Sequence, residues 1–275
     1  MPEEKKDKPK QSFDKESLRN VLFVAISVCL VCSVVVSSAA VVLKPRQLLN
    51  QEYDQKQNIL RAAGMLPQGS NVDAQGRSVD ELFSQFEVRA VDLRTGEFTD
   101  AVDPDGYDPI RAAKDPSMST NLTDEQDIAT IGRREDISEV YIRRDQSGEI
   151  DKVVIPVRGY GLWGTLFGYL ALEGDLQTVA GLGFYSQKET PGLGGEVDNP
   201  MWKAQWPGVT IYDDGGDPAV RLVKSRSPEG SPQAEHEVDA LSGATLTTKG
   251  VENLVRFWTG ELGFGPFLKN LKATA

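Results

Sequence analysis

Cysteine, histidine and net positive charge are all in short supply in this 275-residue sequence, which holds two Cys, one His and a formal net charge of −11. Both cysteines, Cys29 and Cys32, lie inside one apolar run, so the chain cannot assemble a Cys/His zinc cluster. Their spacing matches a redox pair, but small apolar residues within a helix are the simpler reading. The lone His236, beside Glu237, reads as a strand residue, and without a Gly-x-Ser-x-Gly elbow it supports no nucleophile triad. Rossmann and P-loop glycine patterns are missing, as are internal repeats and heptads. The first 20 residues carry six basic and five acidic side chains, which leaves −12 on the remainder. A surface that acidic is not expected to bind nucleic acid or anionic lipid. Asp100, Asp103, Asp105 and Asp108 lack the spacing and terminal glutamate of a calcium loop, so that stretch reads as a solvated connector and no metal is expected.

What the sequence does have is a 23-residue run, 21–43, without a formal charge, closed by Arg19 on one side and Lys44 and Arg46 on the other. At ~1.5 Å per residue, such a helix crosses ~30 Å of hydrocarbon. It is longer than the apolar region of a cleaved signal peptide, and each Cys follows Val, which argues against a lipoprotein site. Lys5, Lys6, Lys8, Lys10, Lys15 and Arg19 outnumber Lys44, Arg46, Lys56 and Arg61 beyond the span. The bias favours an N-terminus in the cytoplasm and a translocated larger domain, periplasmic in a bacterium. The expected plan is a tail over 1–20, a transmembrane helix over 21–43, a polar helical connector over 44–64, and a domain over 65–275.

Within that domain, 79–86 suggests a short helix and 87–93 a strand. Segments 140–142 and 153–157 form a strand pair turned at 146–149. A glycine-rich stretch over 158–168 interrupts the pattern, after which 169–173 and 179–185 resume as strands. Residues 200–206 make one or two helical turns burying Trp202 and Trp206, and 219–223 and 236–241 are strands. Val251, Leu254, Val255 and Trp258 fall at i, i+3, i+4 and i+7, one face of an amphipathic helix. The expected class is α+β with a mixed or largely antiparallel sheet.

Three segments stand out as candidates for chemistry. At 239–248, Asp-Ala-Leu-Ser-Gly-Ala-Thr-Leu-Thr-Thr crowds hydroxyls at a helix start, where unpaired N–H groups and the helix dipole favour a phosphate; plain capping by Ser or Thr is the competing account. Gly159-Tyr160-Gly161-Leu162-Trp163-Gly164 and Glu189-Thr190-Pro191-Gly192-Leu193-Gly194 combine close-approach glycines with apolar side chains suited to a flat ring. Spacing alone does not choose among Ser242, Thr245, Thr247 and Thr248.

Asp239-Ala240-Leu241-Ser242-Gly243-Ala244-Thr245 resembles the flavinylation motif of the FMN-binding domain family, and the other two segments resemble that family's remaining signatures. With the N-terminal span and Gln-Asn-Ile-Leu at 57–60, the resemblance extends over nearly the whole chain, to the C-type subunit family of the Na+-translocating NADH:quinone oxidoreductases. The resemblance implies FMN in phosphoester linkage to Thr245, with Asp239 required for modification and Ser242, Gly243 and Ala244 shaping the turn. It also implies phosphate contacts from Leu246, Thr247 and Thr248, and a ring site near Leu162, Trp163, Glu189, Thr190, Gly192 and Leu193. A flavin transferase would load FMN from FAD. Within a complex of membrane subunits that exports Na+, the chain would relay electrons from iron–sulfur centres toward the flavin of the B-type subunit and quinone without meeting NADH. Lys249, where a small polar residue is expected, is read as facing solvent. The G-type subunit of the Rnf electron-transport complexes shares the motif but is shorter; a membrane-anchored binding module with Thr245 as a mere cap is the alternative of another class.

Overall fold

Helix α1, Leu18–Ala62, takes in the whole apolar run and continues through the polar segment after it. The computed structural model describes residues 17–104 and 106–274, so the expected tail over 1–20 lies mostly outside the described residues. The chain divides between Glu52 and Tyr53 into two units. In the first, the helix is long and apolar enough to cross a membrane, and its most apolar window has no residue buried within the protein. Segment 44–64 is helical as far as Ala62, as expected of a helical connector, and is continuous with the apolar run. It is the same helix, carried through Pro45, whose ring deletes one helical hydrogen bond.

The second unit starts at Tyr53. The last turns of α1 bury Gln57, Ile59, Leu60 and Ala62. Helix α2 (Val79–Phe83) begins with a capping box, Ser78 accepting from Glu81 N while the Glu81 side chain accepts from Ser78 N. Strands β1 (Phe86–Asp92) and β2 (Glu97–Phe98) follow, and the acidic loop contains a one-turn helix, α3 (Pro109–Ala112), capped by Asp108. Short β3 (Ser119–Asn121) and β4 (Arg133–Glu135) pair with each other. Then come β5 (Ile137–Arg144), β6 (Ile150–Tyr160), β7 (Thr165–Glu173) and β8 (Val179–Ser186).

These build a six-stranded sheet in the order β2-β1-β5-β6-β7-β8, with every neighbouring pair antiparallel. Tyr141 stands opposite Val154 and Ile142 opposite Val153, the pairing expected of a hairpin turned just after Arg144. The glycine-rich stretch is not an interruption. Tyr160 pairs with Thr165, so β6 and β7 form one long hairpin whose tip is 161–164, and the second strand starts at Thr165 rather than Tyr169. Helix α4 (Pro200–Lys203) places Trp202 in the core, and Trp206, in the turn after it, is buried beside it. Strands β9 (Arg221–Val223) and β10 (Glu237–Asp239) form a separate parallel pair, and His236 sits in the turn before β10 rather than in it. Helices α5 (Thr245–Thr259) and α6 (Gly265–Thr274) complete the unit.

Because side chains alternate across a sheet, neighbouring strand residues feed two cores. Val153 and Ile155 join Val251, Leu254, Val255 and Trp258 of α5, the periodic face read from the sequence. Val154, Tyr141 and Tyr169 join Ile59, Leu60 and Ala62 of α1. Burial holds the Tyr141 phenol well above its ordinary pKa, and the phenol donates to Glu139 at 2.6 Å. Helix α5 is also keyed to β6 by polar contacts: Trp258 Nε1 donates to Arg158 O at 2.7 Å, and the Arg158 guanidinium, paired with buried Glu135, lies 5.1 Å from the Trp258 ring centroid.

Candidate functional site

The turn into α5 is built around Gly243, whose φ of 73° is a left-handed value that disfavours any side chain. Ala244 is the N-cap, with φ −127° and ψ 56°, and it supplies no side-chain acceptor. Capping by a hydroxyl, the competing account of this stretch, is therefore not what the crowd of Ser and Thr does. Thr248 N donates to Ala244 O at 2.9 Å, the first bond of the helix, and is thus not available to a ligand. Among the described residues, the N–H groups of Thr245, Leu246 and Thr247 have no acceptor. Three donors at the positive end of a 15-residue helix make a fitting cradle for a phosphate monoanion.

The four candidate hydroxyls separate cleanly. Thr248 is buried and its Oγ1 accepts from Leu241 N at 3.0 Å; Thr247 is buried and its Oγ1 donates to Glu189 Oε2. Ser242 and Thr245 are exposed, and neither hydroxyl has a hydrogen-bond partner among the described residues.

Glu189 joins all three segments. Its Oε1 accepts from Leu162 N at 3.0 Å and Trp163 N at 2.9 Å, while its Oε2 takes the Thr247 hydroxyl. A Cβ on Gly161 would stand 2.6 Å from Oε1, and one on Gly194 would stand 2.6 Å from Oε2, so the glycines of the two loops are needed for the carboxylate to enter. Around this buried centre the apolar side chains stay in solvent: Leu162 is 41% exposed, Leu193 44%, and Trp163 and Leu246 62%. Leu193 rests against Gly243, with its Cδ2 3.1 Å from where a Cβ would be. An apolar rim beside an anion cradle is the donor set that a ring system with a phosphate tail requires.

Thr190 and Gly192 are exposed in the same loop, Gly192 with a φ of 76°, and Thr190 O accepts from Gly195 N at 2.9 Å. Asp239 is held apart from the turn: its carboxylate accepts from Arg226 Nε at 3.1 Å, its N–H donates to Gln205 and its carbonyl accepts from Trp202 Nε1. Lys249 is largely exposed, as expected, and pairs with Glu252. No cluster of His, Cys, Asp and Glu capable of holding a metal occurs among the described residues. Sequence reasoning missed Arg226 and Gln205, which hold Asp239, and Gln187, whose Oε1 accepts from Glu189 N at 2.6 Å. Each works through a fold contact that leaves no local pattern.

The FMN-binding domain family matches residues 161–260, a span that contains the hairpin tip, the Glu189 loop and the α5 turn. NqrC of Pseudomonas aeruginosa, the C-type subunit of its Na(+)-translocating NADH-quinone reductase, is 52% identical over 260 residues, 94% of this chain and 98% of its own length. The chain belongs to the NqrC family. The Yersinia pestis member is 44% identical over 270 residues, covering 98% of this chain and 97% of its own. The crystal structure of NqrC from Shewanella oneidensis superposes with a TM-score of 0.72 at 35% identity, covering 82% of this chain and 99% of that one. The corresponding protein from Parabacteroides distasonis gives 0.59 at 28% identity, with 82% and 96% coverage. In this NqrC-family chain, α1 serves as a single-pass membrane anchor, and the α+β class expected from the sequence holds.

Proposed function

We propose that this chain is the covalent FMN carrier of a Na+-translocating NADH:quinone reductase, with FMN esterified to Thr245. The observation that carries the attachment point is the separation of the hydroxyls: within a matched FMN-binding domain, Thr247 and Thr248 are buried and engaged, while Thr245 is exposed beside three unpaired N–H groups. The family motif selects Thr245 over Ser242. Attachment joins Thr245 Oγ1 to the phosphorus of the FMN half of FAD, with AMP leaving and the hydroxyl proton released; a separate flavin transferase catalyses the step. The remaining phosphodiester keeps one negative charge, which the N–H groups of Thr245, Leu246 and Thr247 stabilise. Leu162, Trp163 and Leu193 shelter the ring from water. Asp239, half-exposed and balanced by Arg226, is the transferase's point of engagement.

FMN supplies electron transfer on the way to quinone, and the protein supplies position and electrostatics. The partners are the other membrane subunits of the reductase, in a bacterial inner membrane with the large unit on the periplasmic face. Protease access to that unit in spheroplasts, but not in intact cells, tests this orientation.

The decisive experiment is co-expression with the transferase, followed by in-gel flavin fluorescence and intact mass. Wild type and Ser242→Ala should carry the added FMN mass, and Thr245→Val should carry none. A fluorescent Thr245→Val band would remove Thr245 from the role. A dark wild-type band beside an active transferase would favour the binding module without covalent cofactor.

A further inference from the structure

The Glu189 carboxylate joins the α5 turn to the hairpin tip, reaching Thr247, 58 residues after it, and Trp163 and Leu162, 26 and 27 residues before it. It is 6% exposed, and every donor on it comes from a different element than its own. Its position is fixed from behind by Gln187, which accepts from Glu189 N and donates through Nε2 to Asp198 at 3.0 Å. The base of the tip packs against α5, where a Cβ on Gly250 would stand 3.1 Å from Gly161 Cα, and Gly161 N donates to Gly164 O at 2.9 Å across the turn, but the two bulky side chains at its apex, Leu162 and Trp163, stay exposed.

We infer that Glu189 is a positioning residue that locks the hairpin tip to the first turn of α5, fixing Leu162 and Trp163 relative to the residue that carries the flavin. The inference rests on the FMN reading for its function, though the lock itself belongs to the protein alone. An acceptor-only carboxylate suits the job because the tip offers two adjacent N–H donors and the helix offers a hydroxyl. Without the acceptor, the two tip N–H groups turn to water and the apex is free to swing, which loosens the ring's surroundings without disturbing its tether. Glutamine is nearly isosteric: its carbonyl oxygen can accept from Leu162 N and Trp163 N, and its amide can donate to Thr247 Oγ1. Geometry rather than charge is the property that matters.

The test uses the full-length chain in detergent. In protein made without transferase, amide hydrogen exchange at Leu162 and Trp163 should quicken at least ~tenfold in Glu189→Ala and remain as in wild type in Glu189→Gln, with the β7 amide of Leu170 unchanged as the check on folding. Gly161→Ala, whose new Cβ would collide with Oε1, should reproduce the Glu189→Ala result even if the latter does not fold. In protein made with transferase, Glu189→Ala should retain the FMN mass but lose flavin fluorescence anisotropy, and Glu189→Gln should keep both. Unchanged exchange in Glu189→Ala or in Gly161→Ala overturns the inference, as does a Gln variant as loose as the Ala variant. Absence of FMN on the wild-type chain would sink the cofactor reading while leaving the exchange result to decide the lock.

Discussion

Thr245 and Thr247 are the same residue type two positions apart at the start of α5, yet one is exposed and unpartnered and the other is buried and bonded to Glu189. A helix turns about 100° per residue, so residues i and i+2 face nearly opposite sides. The same contrast runs through the whole site. A seam of Glu189, Thr247 and Thr248 has its polar groups satisfied inside the protein, and a rim of Ser242, Thr245, Leu246, Leu162, Trp163 and Leu193 is left in solvent. The seam is the site's frame and the rim is its working surface.

Exchanging hydroxyl for methyl at the two threonines tests that division most strongly. Thr247→Val should cost about 1–3 kcal/mol in urea unfolding, since it removes a donor from a buried carboxylate, whereas Thr245→Val should stay within ~0.5 kcal/mol. Equal costs would mean that seam and rim are not distinct. Next in size, Trp163→Ala should leave the unfolding midpoint nearly unchanged, within about 0.5 kcal/mol, while altering flavin emission in the loaded protein. A loss of ~3 kcal/mol or more would show that Trp163 is core.

The smallest expected effect concerns acid. Asp92 is held below the usual carboxylate range chiefly by the Arg94 side chain, whose Nε donates to it at 2.9 Å, against a raising effect of burial. A lowered folded-state pKa contributes stability that is complete above the unfolded value of ~3.9 and is lost as pH falls through the folded value. Asp92→Asn should therefore flatten the acid limb of a melting-temperature profile without touching flavin emission. A change in emission would link this distant turn to the rim.

The sequence made the frame of the fold legible where contacts are local or periodic. The α5 face at Val251, Leu254, Val255 and Trp258, the β5–β6 pairing and the burial of Trp202 and Trp206 all follow from spacing. The hairpin tip was obscured because its glycines imitate an irregular loop, although the ladder continues to Tyr160 and Thr165. The motifs singled out three segments that the fold brings together, but not the residue that joins them. Glu189 meets Thr247 only through the fold, 58 residues away along the chain, and no window of sequence contains both. The crowd of hydroxyls suggested caps, whereas side-chain burial assigns two of them to the interior and leaves the cap to Ala244.

The end of α1 has a consequence for how the chain is made. Ile59, Leu60 and Ala62 share their core with nearby Val79, Leu82 and Phe86 and with Tyr141, Val154, Tyr169 and Ala180 much further along, so their native cover is not complete until roughly 120 further residues have been synthesised. For that interval the newly made chain carries an incompletely covered apolar segment directly after its anchor. The strands that cover it, β5 to β8, are consecutive hairpin neighbours, an arrangement that closes quickly once begun. The order of the sheet thus limits how long this earlier-made part of the molecule stays open to wrong partners.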